Sequence, residues 1–163
     1  MKRFSSAAGL ALAVVAVLGL AGPAAAGGPV PFKGSLAGDV TRTPVGPRTD
    51  FVLIEAEGTA TQLGLFTLEV PHLVDLPTRT AAGYYKFTAA NGDRLVARFT
   101  GQATLTATPG IISIVETAII DPDLSTGRFA GATGGFVVER LFDRIAGTTI
   151  GSFEGTISDD GDD

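Results

Sequence analysis

The chain has no cysteine and no tryptophan, and only one histidine, one methionine and two tyrosines among its 163 residues. Without cysteine there is no disulfide, no thiolate nucleophile and no site for a lipid-bearing N-terminal cysteine. The lone histidine, His72, leaves a transition-metal site only carboxylates for partners, and no such spacing surrounds it. Serine and threonine are plentiful, but no Gly-x-Ser-x-Gly segment accompanies that histidine, so triad hydrolysis is not expected. Basic residues are scarce as well. Twelve Lys and Arg stand against 17 Asp and Glu, a net charge of −5. With no basic cluster and no basic amphipathic stretch, phosphate backbones and anionic lipid would repel the chain. Nucleic acid and membrane surfaces are therefore not expected partners, and no cofactor or metal motif is read.

What is present begins with Lys2 and Arg3, followed by an apolar run of 14 residues from Ala7 to Leu20 and by Gly22-Pro23 before Ala24-Ala25-Ala26. That order predicts a cleavable signal peptide over 1–26. The run is shorter than the roughly 20 residues a membrane-crossing helix needs. An exported protein, secreted or periplasmic, is expected. Cleavage would leave 137 residues, enough for one domain with its own core, and a net charge of −7 once Lys2 and Arg3 are gone. The domain is expected over 27–158 and an acidic, disordered tail over 159–163.

Between those limits no helical period is sustained. Segments rich in Val, Ile, Thr and Phe alternate with Gly, Pro, Asn and Asp, the pattern of strands and turns. Eight strands are predicted, at about 32–42, 50–58, 62–72, 82–90, 93–107, 111–120, 134–143 and 147–157. The fold class expected is all-β: a single closed or nearly closed antiparallel β-barrel of about eight strands. Asn91-Gly92 predicts a type I′ hairpin, Thr108-Pro109-Gly110 a second turn, and Thr41 to Pro47 a longer exposed connection. Phe32-Lys33-Gly34-Ser35-Leu36 and Phe153-Glu154-Gly155-Thr156-Ile157 share a pattern that suits adjacent strands, and pairing them would close the sheet. Gly64, Gly83, Gly101 and Gly151 are read as bends.

Gly127-Arg128-Phe129-Ala130-Gly131-Ala132-Thr133-Gly134-Gly135-Phe136, continued by Val137-Val138-Glu139-Arg140, resembles the Gly-rich segment of the allene oxide cyclase and dirigent-like barrels. Glu116 to Ile120 and Gly151 to Thr156 extend the likeness, which resembles small exported bacterial members. The resemblance implies a calycin-like barrel, and the glycines flanking Phe129 would let a strand end in a tight turn while its ring plugs the bottom of the barrel. Members include cyclases acting on a fatty-acid epoxide and proteins that steer phenolic radical coupling. Plant-type cyclase sites include a cysteine, which this chain lacks, so no catalytic residue is carried over.

The residues themselves offer a few candidates. Ile112, Ile114, Glu116, Ala118 and Ile120 share one strand face, so Glu116 is a carboxylate on an apolar surface in need of a partner. Arg140, on the face of Phe136 and Val138, fits that role if the strands are neighbours. The pair reads either as a buried ion pair or as an acid or base working in a cavity. Glu55 and Glu57 alternate with Ile54 and Ala56 and fit an acid/base pair or an exposed polar face. Arg98 shares a strand side with Val96. Tyr84 and Tyr85 point to opposite faces, so one of them lines the interior. Tyr84, Arg98 and Glu55 are the ligand-binding candidates. Asp121-Pro122-Asp123-Leu124-Ser125 has the alternating oxygens of a calcium loop, but Thr126 and Ala132 replace its Gly and Glu, and a turn is expected.

These readings point to non-catalytic binding of a small apolar ligand or a partner surface. The alternatives are a cyclase or isomerase working through Glu116 in the barrel mouth and an outer-membrane barrel, for which the aromatic residues are too few to form two girdles. Neither ligand identity nor oligomeric state is specified by the sequence.

Overall fold

The structure, a computed structural model, describes residues 28–158. The expected signal peptide (1–26) and acidic tail (159–163) lie outside the described residues. Eight antiparallel strands form a closed barrel in chain order: β1 (Val30–Pro44), β2 (Thr49–Ala60), β3 (Gly64–Asp75), β4 (Thr80–Ala89), β5 (Arg94–Leu105), β6 (Ile111–Ile120), β7 (Thr133–Asp143) and β8 (Thr148–Ser158). A short 3-10 turn, Gly127–Phe129, precedes β7.

The barrel closes where the two similar segments meet. Phe32 lies opposite Gly155 and Phe153 opposite Gly34, so each ring occupies the space left by the other strand's missing side chain. Lys33 and Glu154, directly opposite on the outer face, form an ion pair at 3.2 Å. None of these eight strands keeps an unpaired edge.

Two turn expectations need correction. In the Asn91-Gly92 hairpin only Gly92 has positive φ (90°), while the Ala89 N–H donates to Asp93 O and the Gly92 N–H to Ala89 O. This is a three-residue loop closed by a left-handed glycine, not type I′. Asn91 turns its side chain to Asp93, where Oδ1 accepts from the Asp93 N–H and Nδ2 donates to Oδ2, which favours the wider loop. The Thr41–Pro47 connection is also shorter than expected. Thr41, Arg42, Thr43 and Pro44 continue β1 opposite Leu53, Val52, Phe51 and Asp50, because Pro44 ends the strand rather than interrupting it.

Alternation along every strand divides the residues. Inward, Phe32, Phe66, Phe87, Phe136 and Phe153 pack with ring centroids 5.1–6.2 Å apart, mostly edge-on or tilted. Leu63, Phe129 and Ala132 seal that end. Outward, mid-strand positions carry Lys33, Glu55, Glu57, Glu69, Lys86, Arg98 and Glu139, interspersed with Ile119, Val137, Leu141 and Ile150. The end opposite the phenylalanines is open.

Candidate functional site: a polar layer beneath an apolar mouth

Glu116 and Arg140 both point inward, as strand parity requires, from neighbouring strands on which Glu116 faces Val138 and Ile114 faces Arg140. The guanidinium binds the carboxylate through two bonds, Nε to Oε2 at 2.8 Å and Nη2 to Oε1 at 2.7 Å. The Tyr85 hydroxyl donates a short hydrogen bond to Oε2. Arg140 Nη1 reaches toward Thr149 Oγ1 at 3.5 Å, and that hydroxyl donates to Leu141 O at 2.9 Å. All four residues are buried, with Glu116 fully so.

Burial opposes the Arg140 charge, but the bidentate bond outweighs it and holds the guanidinium protonated more firmly than usual. Burial first, then the Glu116 charge, pushes the Tyr85 hydroxyl well above its ordinary range. The network is internally satisfied, and no buried side-chain nitrogen or oxygen among the described residues lacks a partner.

Small residues make the layer possible. Gly101 lies opposite Glu116, Gly151 opposite Arg140 and Gly83 opposite His72. A Cβ on Gly101 would come within 2.5 Å of Glu116 Cγ, and one on Gly151 within 2.5 Å of Arg140 Cβ. Read from sequence as bends, these glycines are the vacant halves of cross-strand pairs. Gly64 is different: it opens β3 in the left-handed region, φ 68°.

Above this layer the barrel opens into a cavity of about 200 Å³. Val40, Val52, Val74, Ile112, Ile114 and Phe142 form its walls. Arg140 and His72 contribute to its floor, and Arg42, Arg79 and Arg144 stand around its rim. His72 is buried on the face of Val70 and packs edge-on to Phe99 at 5.5 Å. Its Nδ1 lies 2.9 Å from Val70 O; a carbonyl only accepts, so Nδ1 carries the proton and Nε2 is the ring's acceptor nitrogen. Burial lowers the His72 pKa below its ordinary value, with Arg140 acting in the same direction.

The structure brings Glu116 and Arg140 together and adds Tyr85, Thr149 and His72. Tyr85 was half legible, because one of the adjacent tyrosines had to face inward; its parity with Phe87 is the signal that selects it. Thr149 carried no signal of its own. Tyr84, Arg98 and Glu55 face outward, away from the cavity. The Arg98 guanidinium lies 6.0 Å from the Tyr84 ring centre and pairs with Asp121 at 2.7 Å. Glu55 is exposed on β2, as is Glu57. Asp121 spends its remaining oxygen on the Asp123 and Leu124 N–H groups, while Ser125 bonds Val96 N–H, so this segment is a turn stapled over the outside of β5.

No family model matches the chain, and neither a curated protein nor a solved structure matches it.

Proposed function

We propose that the protein is an exported, non-catalytic binding barrel that holds a small apolar molecule in its mouth. The observation that carries this reading is the apolar cavity of about 200 Å³ at the open end, above an interior otherwise filled by a satisfied polar layer and packed apolar side chains. A cavity of about 150 Å³ with aliphatic walls is enough to hold benzene. Export rests on the residue order over 1–26. The closed barrel and the Gly-rich segment that buries Phe129 at the sealed end support a place near the allene oxide cyclase and dirigent-like barrels.

A cyclase or isomerase working through Glu116 is disfavoured by the same geometry. Both carboxylate oxygens are engaged by Arg140 and Tyr85, and Glu116 does not line the cavity. A proton acceptor must reach the substrate. The outer-membrane alternative fares no better, since a lipid-facing band would have to desolvate Lys33, Glu55, Lys86 and Glu139 while aromatic rings fill the lumen.

Native mass spectrometry of the protein purified without denaturant tests the binding reading. A 1:1 adduct of a small apolar molecule is expected, abolished by Ala103→Trp, which fills the mouth. An apo mass that no added lipid or phenolic shifts would overturn it, leaving a role for the outer surface.

A further inference from the structure

Charge around the mouth is one-sided. Four arginines and His72 line the cavity, and among the described residues no aspartate or glutamate does. Two of those arginines are neutralised locally: Arg140 by Glu116, and Arg42 by Asp50 through a 2.6 Å bond at the rim. Arg79 and Arg144 have no carboxylate within ion-pair distance among the described residues. They sit on the β3–β4 and β7–β8 turns, which the strand order places on opposite sides of the opening. The chain as a whole is acidic, with a net charge of −5. An unpaired cationic rim on an acidic protein is therefore a local arrangement, and low-dielectric walls below it focus its field into the mouth.

Resting on the binding reading above, we infer that the ligand is a compact amphipathic monocarboxylate. Its apolar body, about the size of one aromatic ring with a short side chain, fills the space between Val52, Ile114 and Phe142. Its carboxylate stays at the rim, where Arg79 or Arg144 meets it. The reverse orientation fails on desolvation: a carboxylate at the floor would lose its water and find Arg140 already committed to Glu116. At the rim it remains partly hydrated and takes a charge-assisted bond from a guanidinium that has no competing anion. The cavity volume sets the size limit, and a long acyl chain would leave most of its length in water.

The test compares 3-phenylpropionate with 3-phenylpropan-1-ol, which share a skeleton and differ in the anionic group, by calorimetry at low salt. The acid is expected to bind about tenfold more tightly, and added salt should narrow the gap. The Arg79→Gln/Arg144→Gln double variant should lose that preference and bind acid and alcohol with similar affinity; both residues are exposed, so a thermal melt should show the fold intact. Equal affinity for acid and alcohol in the unaltered protein would overturn this inference and leave apolar binding standing. If neither compound bound and no small molecule co-purified, the binding reading itself would fall. A preference that survived in the double variant would overturn the assignment to these two arginines.

Discussion

Removing the Arg140 guanidinium would strand the Glu116 carboxylate in an apolar layer with Tyr85 as its remaining partner. Breaking one side of a buried pair costs more than replacing both sides with hydrocarbon. Arg140→Met is therefore expected to lose about 3–5 kcal/mol of stability, and Glu116→Leu/Arg140→Met to recover most of it. Chemical denaturation of the three proteins measures both. His72 supplies a second residue-scale expectation. Its folded pKa lies below the unfolded value of about 6.5. Between those values the unfolded chain binds more protons, so stability is full above about pH 6.5 and declines on acidification until the folded pKa is passed. Arg140 reinforces this and Glu116 opposes it. Melting temperatures between pH 7.5 and 5 should fall, and His72→Gln should flatten that fall; an unchanged slope would assign it to carboxylates instead. Because His72 is the only histidine, its NMR titration is unambiguous.

At the scale of the strand, bulk on one side is matched by glycine on the other. Phe136 faces Gly155, Phe66 faces Gly58 and Arg140 faces Gly151. Gly151→Ala is expected to cost about 1–3 kcal/mol through overpacking against Arg140. Gly46→Ala, in an exposed turn where an added Cβ has no neighbour nearer than 3.9 Å, should be close to neutral. Equal melting temperatures for the two variants would contradict the pairing argument. The number of strands was readable because the turn residues punctuate the chain, and alternation put Glu116 on one face with Ile114 and Ala118 and Arg140 on one face with Val138; which of the two faces turns into the barrel depends on closure and strand pairing, which parity along a single strand does not encode. The glycine partners were not readable as partners, since a one-residue change in register moves every opposite. The cavity was hidden for a related reason. Nothing in single-strand parity says that the phenylalanines of five strands collect at one end and leave the other empty.

For the whole molecule, closure means that β1 and β8 are interior members of one ring of hydrogen bonds. Their amides are expected to exchange with solvent as slowly as those of β4, whereas an open sheet would show two fast strands at its edges. Hydrogen-exchange mass spectrometry over Val30–Pro44 and Thr148–Ser158 decides between them. The register of that closing pair has one more consequence. Val30 lies beside Ile157, so the chain enters and leaves at the phenylalanine-filled end, while the arginine-rimmed opening lies at the other. A barrel held at its Val30 or Ile157 end would present its mouth outward, like a cup standing on its base.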